Sequence, residues 1–153
     1  MKNNFLRVVG VVLPIVVVAV LGSIFVNLGM DWFISLVKPS QWIPNWIIPV
    51  VWTVIYLTFT IILLNWTSKE RLPKKTKWLL IINGILNVLW CLVFFTLKQT
   101  FLGNVVIVLN LIAGVVLWIN IFLQKKNNAY WLAIYPIWLS IASTLNLAMW
   151  ILN

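Results

Sequence analysis

Five stretches of this chain are long enough to cross a bilayer and carry no charge, which leaves few folds open. They are residues 8–26, 47–64, 78–97, 101–123 and 130–152, and none contains Asp, Glu, Lys or Arg. A helical span needs roughly 20 apolar residues. In lipid a segment must satisfy its own backbone polar groups, so each stretch is read as a helix. The expectation is an all-α integral membrane protein. Residues 1–153 form one membrane domain, a bundle of five transmembrane helices. The first stretch follows a basic start, as a signal peptide does. Its apolar run is longer than a signal h-region, and no clean A-x-A cleavage site follows it.

Composition supports the same reading. Only 8% of residues are charged, against about a quarter in soluble domains. The 11 Lys and Arg outnumber the 2 Asp and Glu. They sit in short gaps between apolar runs and form no basic face, which argues against nucleic acid as a partner. With five spans, the N-terminus and the second and fourth loops share a side. That side holds Lys2, Arg7, Lys69, Arg71, Lys74, Lys75, Lys77, Lys125 and Lys126; the other holds Lys38 and Lys98. Basic residues accumulate on the cytoplasmic side. The expected topology therefore puts the N-terminus in the cytoplasm, with the C-terminus and first loop outside.

The connections are short except the first. The link after Lys98 is so brief that the third and fourth helices must be antiparallel neighbours. The first loop, residues 27–46, carries Trp32, Phe33, Trp42 and Trp46, braced by Pro39 and Pro44. Long loops are usually functional or disordered. An aromatic, proline-stiffened loop reads as a structured lid; the alternative is a loop lying on the headgroups through its tryptophans. No pair of matching halves is visible, against an inverted-repeat transporter.

The usual reactive groups are missing. There is no His, and Cys91 is the single cysteine. Asp31 and Glu70 fall on opposite sides of the membrane, so no carboxylate pair forms. No metal motif, nucleophile–base pair or phosphate loop is present. No span holds an acid or base for proton coupling.

Tryptophan is abundant, with 11 copies. An interfacial belt accounts for Trp42, Trp46, Trp66, Trp78, Trp131 and Trp150 at the span ends. It does not account for Trp52, Trp90 and Trp138, each within about 5 Å of its span's midpoint along the axis. A deep indole belongs in a helix interface or a cavity, where its N–H finds a partner. Asn83, Asn87, Trp90 and Phe94 share one face of the third helix. Trp138, Ala142, Leu145, Asn146 and Met149 share one of the fifth, and Trp52 and Tyr56 lie one turn apart on the second. Amides avoid lipid, so Asn87 and Asn146 should point inward. Holding helices together is an equal reading for Asn83 and Asn146. Together the stripes describe an aromatic cavity with a few amides, suited to a large, flat, mostly apolar ligand.

These residues resemble a known family, the tryptophan-rich sensory protein/translocator protein family (TspO/MBR), or peripheral-type benzodiazepine receptors. The likeness covers nearly the whole chain. The first loop and second helix read Trp32-Phe33-x-x-Leu36-x-Lys38-Pro39, Pro44-Asn45-Trp46 and Val51-Trp52-Thr53-Val54-Ile55-Tyr56. They are similar to the family's W-Y-x-x-L-x-K-P, P-x-W and V-W-x-x-L-Y. Helix three gives Asn87-x-x-Trp90-x-x-x-Phe94-Phe95, and helix five Tyr135-x-x-Trp138-x-x-x-Ala142-x-x-Leu145-Asn146. There are departures: Ile134 stands where the family usually has proline, and Pro136 follows two residues later. The C-terminal residues lack the Tyr and Lys or Arg of a sterol consensus.

The resemblance implies a receptor- or transporter-like membrane protein that binds tetrapyrroles, protoporphyrin IX and haem among them. It implies no required cofactor, a homodimer, and helices packed in the order 1-2-5-4-3. It also implies, for some members, light-dependent porphyrin breakdown, with Trp52 and Trp138 as the matching residues. A regulatory membrane partner without a small ligand is the remaining alternative. The expected ligand-binding set is Trp32, Lys38, Trp52, Tyr56, Asn83, Asn87, Trp90, Phe94, Trp138, Ala142, Leu145 and Asn146. Lys38 is the loop cation nearest the outer mouth, where propionates would emerge. Haem usually takes an axial His, Cys, Met or Tyr. Without His, and with Cys91 turned from the stripe, metal-free protoporphyrin is expected to bind at least as tightly as haem.

Overall fold

The computed structural model describes residues 2–40, 43–124 and 129–153. Trp42, Lys125 and Lys126, which entered the belt and charge readings, lie outside the described residues. Among those described, the chain is helical and contains no strand. The elements are α1 (Lys2–Leu28), α2 (Met30–Ser35), α3 (Ile47–Thr67) and α4 (Lys74–Cys91). Helix α4 runs on through a π-helical turn (Leu92–Thr96), followed by α5 (Thr100–Gln124). A 3₁₀ turn (Tyr130–Ala133) leads into α6 (Ile134–Leu152). Five of these helical segments have the length and apolarity to cross a membrane.

Several helices begin before their expected apolar runs, because lipid crossing and helix formation are different conditions. Helix α1 starts at Lys2 rather than near residue 8, and α4 starts at Lys74, after Pro73. Pro49 and Pro136 fall in the first turns of α3 and α6. There a missing backbone N–H forfeits no intrahelical bond. Residues 97–99 join the π turn to α5, with Lys98 in the left-handed region at φ 57°. The tight reversal makes α4 and α5 antiparallel neighbours, as their short link requires.

The bundle closes as a ring. Helix α1 packs on α3 and α4, α4 on α5, α5 on α6, and α6 on α3. This is the order 1-2-5-4-3 in membrane helices. Of the five spans, the last has the largest share of buried residues and the first the smallest. Ile107, Leu117 and Ile121 of α5 meet Leu139 and Met149 of α6 in the core. Val20, Leu57, Ile85, Ile112 and Ile137 face outward. In water such apolar surface would be a liability; in a membrane protein it is the lipid face. Trp46, Trp78, Trp131 and Trp150 are exposed at span ends, as an interfacial belt requires. Trp66 departs from that expectation. It is 3% exposed and packs in the core from the last turn of α3. Position along a helix gave its depth, but its face on that helix turned it inward.

The first loop is folded. Helix α2 sets Trp32 edge-on to Phe94 at 5.7 Å and Phe33 against Phe95 at 5.2 Å. The π turn also meets α1, where Thr96 Oγ1 donates to the Phe25 carbonyl at 2.9 Å. At Gly29 a side-chain carbon would overlap the Phe95 carbonyl, so the α1–α2 junction approaches the π turn only through glycine. On the same side, Asn153 at the end of α6 is hydrogen-bonded to Val37 of the first loop. An odd number of spans requires the two to share a face.

Candidate ligand cavity

A cavity lies beneath the first loop, between α3, α4 and α6. Phe33 and Ile43 close it from the loop, and Ile48 and Trp52 wall it from α3. Trp90, Phe94 and Phe95 come from α4 and its π turn, and Trp138, Ala142, Leu145, Asn146 and Met149 from α6. A π turn inserts one extra residue into a helical repeat. Here it carries Phe94 and Phe95 together, and both rings are buried.

The walls are mostly ring faces and edges. Trp90 stacks on Phe94 with centroids 6.1 Å apart, and Trp52 stacks on Tyr56 at 5.7 Å. The rings fill most of the volume. The open space is about 50 Å³, counted as room for the centres of water molecules, against roughly 300–1,000 Å³ for pockets holding drug-sized ligands.

Seven of the twelve expected binding residues meet on this wall: Trp52, Trp90, Phe94, Trp138, Ala142, Leu145 and Asn146. Trp32 stands behind Phe94 and Tyr56 behind Trp52. Lys38 is not on the wall. Its Nζ lies 5.2 Å from the Phe33 ring centre and reaches the carbonyls of Ile34 at 3.3 Å and Phe33 at 3.5 Å. Both carbonyls lie toward the C-terminal end of α2, where a cation is favoured, and that of Phe33 also accepts the Leu36 N–H at 3.4 Å.

Asn83 and Asn87 belong to a separate polar knot. The Tyr135 hydroxyl donates to Asn83 Oδ1 at 2.9 Å, with Asn110 Oδ1 also near at 3.3 Å. Asn83 Nδ2 donates to Asn110 Oδ1 at 3.0 Å, and Asn87 Nδ2 reaches the Tyr135 hydroxyl at 3.5 Å. The knot ties α4, α5 and α6 together, and Tyr135 carries it to the cavity, its ring edge-on to Trp52 at 6.3 Å. Asn110 was not among the expected residues. The signal was available: an amide in the middle of an uncharged span needs a partner inside the bundle.

Phe33, Ile43, Ile48 and Phe95 line the cavity without having been expected there, and Met149 joins them from the fifth-helix stripe that describes it. Phe95 was hidden because a regular helix would turn it about 100° from Phe94. Cys91 is buried against α1, its Sγ 3.4 Å from where a Gly22 side chain would begin, and it is not on the cavity wall. Among the described residues, no three of His, Cys, Asp or Glu group to hold a metal.

Comparison with known proteins covers nearly the whole length. The model of the TspO/MBR family matches residues 10–151. Tryptophan-rich protein TspO of Archaeoglobus fulgidus is 29% identical over 152 residues, spanning 98% of this chain and 99% of the relative. Tryptophan-rich protein TspO of Chlorobaculum tepidum is 32% identical over 136 residues, 86% of each chain. Protein CrtK of Rhodobacter capsulatus is 31% identical over 132 residues, 80% of this chain and 78% of its own.

Proposed function

The chain belongs to the TspO/MBR family, and from that membership together with the cavity we propose that it binds tetrapyrroles within the membrane, as a receptor or carrier. The observation that carries the reading is the convergence of Trp52, Trp90, Phe94 and Trp138 on one wall. Indole and phenyl faces stack on a flat conjugated ring, and each such pairing adds about 0.5–1.5 kcal/mol beyond burial. Helices on several sides supply the rings, as a disc-shaped ligand requires.

A macrocycle needs more room than the cavity offers. Phe33 and Ile43 are the wall residues contributed by the first loop rather than by a membrane span. The loop is therefore the wall that moves when ligand enters. Stacking dominates in this reading, and iron adds little. Met149 is the one wall residue with a conventional haem-ligating side chain.

The test is a titration of the purified protein with protoporphyrin IX, with haem in parallel, in the dark and under illumination. Saturable quenching in the dark without a new product supports binding. A light-dependent spectral change that needs Trp52 or Trp138 favours the degrading enzyme instead. Absence of both favours a regulatory partner without a small ligand. Haem binding much tighter than protoporphyrin, with a six-coordinate spectrum, overturns the stacking-dominated site.

A further inference from the structure

The connection between α3 and α4 gathers charge at one corner of the bundle. Lys69, Arg71, Lys74, Lys75 and Lys77 fall within it or in the first turn of α4, and all are exposed. Glu70 is the one carboxylate among them; the chain's other, Asp31, lies in α2, at the opposite end of α3. The turn that carries the lysines is fixed in place. Thr76 is fully buried and donates through Oγ1 to Asn120 Oδ1 of α5 at 2.8 Å, and Gln124 Nε2 donates to Thr76 Oγ1 at 3.3 Å. With Thr76 turned onto α5, Lys75 and Lys77 lie about 100° to either side of it.

A further cation comes from α1. That helix runs parallel to α4: Val18 meets Gly84, Gly22 meets Cys91, and Phe25 meets Thr96. Equal descent from Val18 and Gly84, at about 1.5 Å per residue, arrives at Arg7 and Pro73. Arg7 is half-buried and belongs to a membrane-crossing segment. It therefore stands level with the first turn of α4, at the edge of the bilayer. Trp78, exposed beside Lys77, marks that depth as the headgroup layer.

From this we infer that the corner binds the headgroup of an anionic phospholipid, in the leaflet on the side of the N-terminus. Orientation in a membrane asks only for an excess of basic residues on one side. Here a link and two helices bring them together at the depth of lipid phosphates. Clusters of about four or more Lys and Arg beside a membrane helix attract acidic lipids, and a guanidinium can pair with a phosphate through two parallel N–H bonds. A soluble anion would meet the exposed lysines, whereas a phosphate carried on acyl chains also reaches the level of Arg7. The inference is independent of any ligand in the cavity.

The full chain, in a neutral detergent, is titrated with phosphatidylglycerol or phosphatidylcholine of the same acyl chains, and bound lipid is counted by native mass spectrometry. Phosphatidylglycerol should bind about fivefold tighter for each basic residue engaged, and rising ammonium acetate should erode the preference. Lys74→Gln, Lys75→Gln and Lys77→Gln combined should lose most of it, while Lys→Arg at the same positions should keep it. Lys98→Gln, at the other end of α4, should match the parent. Excess glycerol 3-phosphate should leave the lipid bound. Equal affinities for the two lipids in the unmodified protein overturn the inference. A preference that survives in the folded glutamine variant overturns it too, by placing the site elsewhere. Displacement by glycerol 3-phosphate overturns the lipid assignment in favour of a soluble phosphate. Should the combined variant fail to fold, Arg71→Gln, in the exposed link between helices, is read by the same comparison.

Discussion

Asn153 grips Val37 by both of its backbone polar groups. Its Oδ1 accepts from the Val37 N–H at 2.9 Å, and its Nδ2 donates to the Val37 carbonyl at 3.0 Å. The same Nδ2 also donates to the Met149 carbonyl of α6 at 2.8 Å. The side chain thus pairs with the first loop as a neighbouring strand would, and pins the loop that closes the cavity to the helix that walls it. In Asn153→Ala the loop should open more readily. Two exposed bonds, at the low end of about 0.5–1.5 kcal/mol each, are worth several-fold in the opening equilibrium. Stopped-flow quenching by protoporphyrin should show association and dissociation both faster by that factor. Unchanged rates would remove the clasp from the entry pathway.

Tyr135→Phe deletes the hydroxyl at the centre of the knot. Asn83 Oδ1 loses its donor and Asn87 Nδ2 its acceptor, both in buried residues. Interhelical bonds of this kind in membranes are worth about 0.6–2 kcal/mol. The variant should melt several degrees lower in detergent. Thr53→Ala, which removes only an exposed bond to the Pro49 carbonyl within α3, is the control and should melt with the parent.

Trp138→Ala removes a wall indole, and protoporphyrin affinity should fall about tenfold, at 1.4 kcal/mol per decade. Trp131, 76% exposed and absent from the wall, is the matched control. Trp131→Ala should bind as the parent does. Equal loss in both variants would point to general destabilisation.

The basic residues predict the orientation. Reporter fusions should place the N-terminus in the cytoplasm and the C-terminus outside. Protection of a C-terminal tag from external protease in intact cells would reverse that assignment.

Much of this was legible in the sequence, and the reason is lipid. An uncharged run must be a helix there, so the five spans follow from counting, and the second and fifth begin where expected, at Ile47 and Tyr130. Helical spacing brought Trp90 and Phe94 to one face, and Trp138, Ala142 and Asn146 to another; the fold places these on a common wall. What spacing could not supply is which amide meets which. Asn83 and Asn87 share the Trp90 stripe, yet they bond to Tyr135 and Asn110 on other helices. Phe95 escaped for a different reason. Its inward turn depends on a π turn, a local change of period with no composition of its own. Lys38 lies beside the Phe33 ring, and its ammonium answers to the C-terminal end of α2, an element too short to read from periodicity.

The approach of Gly29 to the Phe95 carbonyl has a genetic consequence. Every single-base missense change of a glycine codon introduces a Cβ, so no missense route at this codon preserves the junction. In a saturation library scored for folded protein, Gly29 should read as intolerant to every amino acid, alanine included. Gly10, in α1, has nothing within 4 Å of the point where a side-chain carbon would stand, and it should accept most apolar substitutions at little cost. Two glycines in one stretch of chain would then mark the extremes of mutability, one fixed by a carbonyl and the other drifting in lipid.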